Sequence, residues 1–384
     1  MDRRSFLVGT AALGVSLSGC SPAPNALRVR SLRDSVPAQV VSQFHKQFNQ
    51  AAIDFKPEDQ LGDLFALLQE WKQQVNPPAP SSLPSWIPFI GNRDVAAPDL
   101  ATLGDYWLTT AIQQGLIQPL DVSVWEQWRQ LPEKWRAIVT RDNQGRPAAN
   151  GQVWGAPYRW GSTVIAYRAD IFKEKNLKPP TDWADLWREE LRGRISLLDQ
   201  PRETIGLTLK KLGKSYNTPD LSKVENLESE LKALHRQAKF YSSETYLQPL
   251  MLDDTWVAVG WSSEVLSSRR RSPGIKAVFP ASGTSLWADV WVRPATVTTQ
   301  NPTLSQWIDF CWQPQIAPQL SLLSQAASPI LTALKPDSLP EALQRDPLLF
   351  PDPKTLLDRS EFLEPLSQAT VEHYRSLWAK VRQG

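Results

Sequence analysis

Residues that carry covalent and metal chemistry are scarce in this sequence. Its 384 residues include two cysteines, two methionines and three histidines. Neither His-Glu-x-x-His nor Cys-x-x-Cys occurs, and the phosphate-binding P-loop and the Gly-x-Ser-x-Gly nucleophile motif are also absent. Two cysteines cannot build a framework of several disulfides. We therefore predict a protein that is not an enzyme, holds no metal and needs no cofactor.

The few residues of these types favour structural roles. His45, His235 and His373 lie in segments with helical spacing and polar surroundings, which predicts surface positions. Cys311 belongs to the apolar helical segment Trp307–Trp312, which predicts a small buried core residue. Stability must then come from a large core, and the chain is long enough for two domains.

An excess of charge of either sign is missing as well. Lys and Arg number 42 and Asp and Glu number 40, so the formal net charge is +2. Without residues 1–19, which hold Arg3, Arg4 and Asp2, the formal charge is +1. Such a balance creates no strong field. We expect no nucleic-acid partner and no binding to an anionic membrane surface.

The N-terminus has features of an export signal. Its apolar run, Phe6–Leu17, is shorter than the roughly 20 residues that span a bilayer. The segment around Arg3-Arg4 resembles a twin-arginine signal, and the Leu-Ser-Gly-Cys sequence ending at Cys20 resembles a bacterial lipobox. We predict that residues 1–19 are a signal peptide, that Cys20 is lipidated and that residues 20–26 are a tether. The lipid would hold the protein at the periplasmic side of the inner membrane.

Beyond the tether, strand and helix patterns alternate, which is typical of an α/β fold. Strands are predicted at 27–30, 53–55, 99–103, 163–167, 195–198, 256–261, 275–280 and 287–292. Helices are predicted at 36–48, 61–71, 108–114, 221–239, 307–312 and 371–381. Trp160-Gly161-Ser162 is interpreted as a hinge-like turn, and the proline-rich Asn76–Pro88 as a loop or extended connector.

The stretch Trp183–Gly206 points to a ligand site. Its apolar run Ile195–Leu198 predicts a buried strand, and Pro201 is predicted to occupy the first helical position after it. Glu203 would then lie near the helix start. Open α/β sheets bind their ligands where strands end in such turns.

The same stretch carries a resemblance to a known family. The matching blocks are Trp183–Trp187, Gly193–Asp199, Pro201–Glu203, Pro157–Thr163, Ala258–Ser262 and Trp287–Asp289. Together they resemble the bacterial spermidine/putrescine-binding proteins of ABC importers, over about residues 27–335. The resemblance implies a type II periplasmic-binding-protein fold: two α/β lobes, each a mixed sheet flanked by helices, with a ligand cleft between them. It also implies a monomer that delivers a small amine to an ABC permease.

The resemblance also implies where each lobe begins and ends. Lobe 1 would comprise residues 27–160 and 289–333. Lobe 2 would comprise residues 161–288 and 334–384.

The family's ligand residues can be carried over one by one. Tyr106 corresponds to an aromatic position, Glu203 to a carboxylate and Trp261 to a stacking tryptophan. Trp287 and Asp289 match the family's Trp-x-Asp pair, in which Asp289 would bind an ammonium group.

Purely structural roles for these residues remain open as alternatives. Glu203 would cap its own helix, and Trp261 and Trp287 would be packing residues. Asp289, a carboxylate in an apolar strand, requires a partner, either a ligand or an arginine.

The sequence also departs from the family pattern. Leu32-Arg33 stands where an aromatic and a hydroxyl are expected, Gln200 replaces a second carboxylate, and Ala326–Pro329 lacks a tyrosine. Arg33 would pair with Asp289 or Glu203, or would accept the carboxylate of a different ligand.

Three functions follow from these observations. The first is a lipid-anchored binding protein that captures a polyamine or related small amine by lobe closure. The second is the same scaffold with an amino-acid-like zwitterion as ligand, favoured by Arg33 and Gln200. The third is a lipoprotein with a degenerate cleft that acts through a protein partner.

Overall fold

A computed structural model describes residues 26–49, 51–75, 97–351 and 357–383. The predicted signal peptide, Cys20 and the proline-rich segment 76–88 lie outside these residues. Within the described ranges, no helix is both long enough and apolar enough to cross a membrane.

Strands and helices alternate along most of the chain. The strands are β1 Leu27–Leu32, β2 Ile53–Glu58, β3 Leu100–Gly104, β4 Ile117–Gln118, β5 Thr140–Arg141, β6 Gln152–Val153, β7 Ala156–Arg168, β8 Ile195–Leu197, β9 Ala238–Tyr241, β10 Val257–Trp261, β11 Ile275–Val278, β12 Ser285–Pro294 and β13 Glu361–Phe362. The α-helices are α1 Ala38–Gln47, α2 Leu61–Val75, α3 Leu108–Gln113, α4 Glu133–Ala137, α5 Ala169–Glu174, α6 Pro201–Lys211, α7 Leu227–Gln237, α8 Gln248–Met251, α9 Ser262–Arg271, α10 Pro302–Cys311, α11 Ala317–Ser324, α12 Glu341–Gln344 and α13 Gln368–Arg382.

Among the residues that the structure describes, the main sheet has eleven strands, which run in mixed directions. Its principal order is β2-β1-β3-β12-β7-β10-β8-β9, and β4, β11 and β13 pair at its sides. Strands β1, β2 and β3 are mutually parallel, as are β8, β9 and β10, whereas β12 and β7 run antiparallel to their neighbours in this order. The prediction of an α/β fold with mixed sheets is confirmed.

Strands β7 and β12 connect the two halves of the sheet. From Ala156 to Ser162, β7 pairs with β12, whereas beyond Ser162 it pairs with β10 and β11. In the register between β7 and β12, Trp160 is opposite Ala288 and Gly161 is opposite Trp287. The predicted lobe boundaries therefore fall at directly facing positions, and they stay a prediction. We call this region the crossing.

The predicted turn at Trp160-Gly161-Ser162 is wrong. Strand β7 runs unbroken through these residues. It is held on one edge by β12, and on the other by paired backbone bonds between Trp160 and Ala327, at 2.8 and 2.9 Å. Gly161 therefore serves close packing rather than a turn.

The charged helix predicted at 221–239 is also shorter than expected. Residues Leu221–Lys223 form a 3-10 turn, and Asn226 adopts a left-handed φ of 61° immediately before α7 begins. Three other local predictions are confirmed. Helix α6 begins at Pro201, Cys311 is buried, and each of the three histidines lies in a helix, where none is fully buried.

The described residues form three apolar clusters; the first runs from the first half of the sheet into the second, and the other two lie in the second half. In the first, Phe44 of α1 contacts Trp307 and Phe310 of α10 edge-on, with ring centroids 5.3 and 5.2 Å apart. In the second, Trp183 is fully buried, and its indole N–H donates to the Gly283 carbonyl at 2.8 Å. These tryptophans therefore fill space, and Trp183 also fixes the backbone at Gly283.

Candidate functional site

An ion pair lies at the centre of the crossing. Arg159 of β7 is opposite Asp289 of β12, and Arg159 Nε donates to Asp289 Oδ2 at 2.5 Å. Both side chains are more than nine-tenths buried. Burial by itself lowers the pKa of Arg159, but the Asp289 carboxylate raises it, and the net shift is upward. Burial raises the pKa of Asp289, and the charge and hydrogen bond of Arg159 oppose that rise, so Arg159 is the partner that the buried carboxylate requires.

Trp287 packs beside this pair on the same face of β12. Its indole lies against Gly161, where the Cβ of any other residue would overlap the ring. The guanidinium carbon of Arg159 lies 5.8 Å from the ring centroid, within the range of a cation–π contact. Trp287 therefore combines packing on β7 with contact to a cation.

Glu203 connects α6 to both crossing strands. Its Oε2 accepts a hydrogen bond from the Thr163 hydroxyl on β7 at 2.9 Å and another from the Ser285 hydroxyl on β12 at 2.7 Å. Burial raises the pKa of Glu203, and these two bonds oppose the rise. Because its hydrogen bonds go to the strands, the alternative in which Glu203 caps its own helix is wrong.

These groups follow one face of β12. Side chains two residues apart on a strand share a face, so Ser285, Trp287 and Asp289 form a row. Asp289 lies four residue steps along the strand from Ser285, whose hydroxyl donates to Glu203, so the Cα atoms of Ser285 and Asp289 are about 13 Å apart. The face therefore presents a carboxylate, an aromatic ring and a second carboxylate in order. We call Arg159, Glu203, Trp287 and Asp289 the crossing site.

A further carboxylate, Asp105, supports the same strand. It follows β3 directly, and its Oδ1 accepts the backbone N–H of Ala288 at 2.8 Å. Burial raises the pKa of Asp105 to about 7, although the bond from Ala288 and the charge of Arg141 oppose the rise. The negative charge of Asp289 contributes to the rise.

The remaining predicted ligand residues are more exposed. Tyr106 is 43% exposed and follows Asp105 in a 3-10 turn. Trp261 is half-buried at the end of β10, edge-on to Tyr246 with the ring centroids 5.8 Å apart. Gln200 is exposed at the N-cap of α6, and its side chain makes no capping bond. Their contact with a ligand stays a prediction.

Arg33 is the clearest error. It is exposed and forms an ion pair with Asp59, which follows β2. The predicted pairing of Arg33 with Asp289 or Glu203 is therefore wrong. The sequence-adjacent strand β2 supplies its partner, because β1 and β2 are parallel and end at the same edge.

Sequence reasoning missed Arg159 and Asp105. The signal for Arg159 was present: it is a charged residue between the aromatics Tyr158 and Trp160, in a segment already compared with the family. A second signal was that Asp289, a carboxylate in an apolar strand, needs a cation as its partner. For Asp105, a carboxylate at the end of a buried strand was the only signal.

Across the described ranges, no cluster of three or more His, Cys, Asp or Glu side chains could hold a metal ion.

Replacing Gly161 with alanine tests the packing of Trp287. The new Cβ overlaps the indole, so we expect the free energy of unfolding to fall by about 1–3 kcal/mol, as overpacking typically costs. Gly62→Ala is the control, because its nearest neighbouring atom lies 4.0 Å from the new Cβ. Urea denaturation measures both variants, and an equal stability of the two would contradict the close packing.

The topology and site together define a class. Two strands that connect two sheet-and-helix halves, with buried charged and aromatic groups where they cross, are the features of the two-lobe periplasmic-binding-protein fold. The fold comparisons given below confirm this prediction.

The chain belongs to the bacterial extracellular solute-binding protein family, whose sequence model matches residues 96–358. This membership confirms that the chain is a solute-binding protein rather than an enzyme.

Individual relatives extend the similarity over nearly the whole chain. The spermidine/putrescine-binding periplasmic protein of Escherichia coli K12 is 26% identical over 355 residues, covering 92% of this chain and 91% of the relative. The structure of the spermidine/putrescine ABC transporter substrate-binding protein PotD from Streptococcus pneumoniae superposes with a TM-score of 0.77 at 21% identity, covering 94% and 99% of the two chains. The Tp0655 lipoprotein of Treponema pallidum gives a TM-score of 0.69 at 18% identity, covering 94% and 100%.

Proposed function

We propose that this protein is the substrate-binding protein of an ABC importer and captures a polyamine or related small amine by closure of its two lobes. The observation that carries this proposal is the row along β12, in which Trp287 lies between the carboxylates of Glu203 and Asp289. The strand from Ser285 to Asp289 spans about 13 Å, which is comparable to the length of an extended polyamine.

The chemistry of the row suits an alkylammonium chain. A charge-assisted hydrogen bond to either carboxylate contributes about 1.5–3 kcal/mol. A cation near the face of Trp287 adds about 0.5–2 kcal/mol, depending on how well water is excluded. Two carboxylates at a fixed separation discriminate between amines by length, because both ends of the ligand must be satisfied together.

The relatives support the same ligand class. Several curated relatives are named as spermidine/putrescine-binding or putrescine-binding periplasmic proteins, including one from Salmonella typhimurium that matches 98% of this chain at 25% identity. Their names place them in the periplasm, and we propose the same location here. Lipidation of Cys20, twin-arginine export and a monomeric state belong to this proposal, and the lipoprotein among the structural relatives supports the first of them.

Lobe closure would supply the transport signal. Residues 27–160 and 289–333 would move as one lobe, and residues 161–288 and 334–384 as the other. A ligand that contacts Glu203 from one lobe and Asp289 from the other stabilises the closed state, which the permease then recognises. Tyr106, Trp261 and Gln200 would contact the ligand from the rims of the two lobes.

An amino-acid-like zwitterion is the second candidate ligand. Arg159 favours it, because a buried guanidinium beside Asp289 offers one cation and one anion to a ligand that carries both charges. Arg33 no longer supports this candidate, since it pairs with Asp59 away from the crossing site.

Titration of the purified protein with spermidine, putrescine and common amino acids tests the ligand class. We expect a polyamine to bind with a micromolar or lower Kd, followed by calorimetry or tryptophan fluorescence. Glu203→Gln should weaken that binding by about tenfold or more, because a charge-assisted bond is lost. Glu341→Gln, in an exposed ion pair, is the matched control. Absence of micromolar polyamine binding would refute the ligand assignment, and selective binding of an amino acid would favour the second candidate.

A further inference from the structure

Arg159 stands where the proposed function places the ligand's ammonium group. Its Nε is 2.5 Å from Asp289 Oδ2, and its guanidinium carbon is 5.8 Å from the Trp287 ring centroid. We propose that Arg159 is a tethered internal cation that fills the ammonium subsite of Asp289 and Trp287, so that an alkylammonium ligand reaches Asp289 only by displacing the guanidinium. This inference rests on the proposed function for the identity of the displacing ligand.

Burial explains why the subsite needs a resident cation. The Asp289 side chain is 2% exposed, and an ionised carboxylate at such a position is stable only when it is paired. In solution an open site of this kind would hold water or a small cation. Here the chain supplies the cation itself, from the strand position directly opposite the carboxylate.

A second acceptor gives the displaced guanidinium somewhere to remain. Arg159 Nη1 lies 3.5 Å from the carbonyl oxygen of Ser324, the last residue of α11. Carbonyls at a helix C-terminus carry partial negative charge and interact favourably with cations. When a ligand replaces Arg159 at Asp289, the guanidinium therefore still lies beside the Ser324 carbonyl oxygen as an acceptor.

The internal cation changes the charge that the site accepts. With Asp289 paired to Arg159, Glu203 is the carboxylate of the row whose hydrogen bonds come from hydroxyl groups rather than from a cation. An amine that enters at Asp289 adds a positive charge beside the guanidinium. Arg159 therefore weakens diamine binding, and its removal strengthens it.

Replacing Arg159 tests this competition in the full chain. We expect Arg159→Met, which retains much of the side-chain volume without the charge, to bind putrescine at least tenfold more tightly than the unaltered protein. Arg159→Lys retains a cation and should bind putrescine as the unaltered protein does. Equal or weaker putrescine binding by Arg159→Met overturns the proposal. So does binding of γ-aminobutyrate that disappears in Arg159→Met, because Arg159 would then recognise a carboxylate.

Chemical rescue tests the subsite without relying on polyamines. In Arg159→Ala, millimolar ethylguanidinium should raise the melting temperature in a saturable manner, whereas its neutral analogue ethylurea should not. The double variant Arg159→Ala/Asp289→Asn should show no such rise. Equal rescue by ethylurea, or rescue of the double variant, overturns the proposal. If ethylguanidinium rescues Arg159→Ala but neither the unaltered protein nor any variant binds a polyamine, the internal cation is supported and the proposed ligand class is refuted. If Arg159→Ala does not fold, the Arg159→Met titration decides alone.

Discussion

Replacing Asp289 with alanine should lower the free energy of unfolding by about 3–5 kcal/mol. The substitution leaves the buried guanidinium of Arg159 without its counter-ion, and an uncompensated buried charge is among the costliest single changes. Urea denaturation followed by tryptophan fluorescence measures the loss. The same variant should also lose affinity for any amine that binds at Asp289.

Two controls separate the buried charge from other effects. Arg159→Met/Asp289→Leu removes both charges and keeps apolar volume, so it should recover most of the lost stability. Glu341→Ala breaks the exposed pair with Arg345 and should cost less than about 1 kcal/mol. A loss as small for Asp289→Ala as for Glu341→Ala would show that the crossing pair is not desolvated.

Replacing Asp105 with asparagine should stabilise the protein at alkaline pH and have little effect near pH 4. The folded-state pKa of Asp105 is raised to about 7 from an ordinary value of 3.8. Between these two values the unfolded chain ionises the carboxyl while the folded chain keeps it protonated. Stability therefore falls as pH rises through this window, by up to about 4 kcal/mol, and then levels off. Asparagine cannot ionise, yet its side-chain oxygen still accepts the N–H of Ala288.

The pH profile of the difference is the measurement. Unfolding free energies of both proteins at pH 4 to 8 should diverge with rising pH and reach a plateau above pH 7. Other buried carboxyl groups, such as Glu203, titrate in both proteins and cancel in the difference. Asp337→Asn, at an exposed position, should give a flat difference. A flat difference for Asp105→Asn would mean that its carboxyl is hydrated or ionised in the folded state.

Local sequence signals accounted for most of the elements. The start of α6 at Pro201, the end of α3 near residue 114, and the burial of Cys311 all depend on a few neighbouring residues. Hydrophobic periodicity likewise predicted α1, α2 and the strand core of β8. Such features are readable because each element satisfies its own backbone and buries its own face.

The site was less predictable because its contacts span the chain. The bond between Arg159 and Asp289 joins residues 130 positions apart, and its existence depends on the register of β7 with β12. A shift of one residue would point the two side chains to opposite faces. The prediction of a hinge-like turn at Gly161 was wrong for the same reason. A glycine that allows a turn cannot be distinguished in sequence from a glycine that leaves room for an indole ring.

The paired edges of β7 have a mechanical consequence. Trp160 forms backbone hydrogen bonds with Ala327 on one edge of β7, while its neighbours pair with β12 on the other edge. The backbone at the crossing is therefore hydrogen-bonded on both edges. The proposed lobe closure would then be elastic bending and twisting of the two-stranded ribbon that β7 and β12 form, with strain spread over many residues. Amide protons of residues 160–163 should exchange slowly with solvent whether the ribbon is straight or bent. Ligand affinity would then include the elastic energy of that bend.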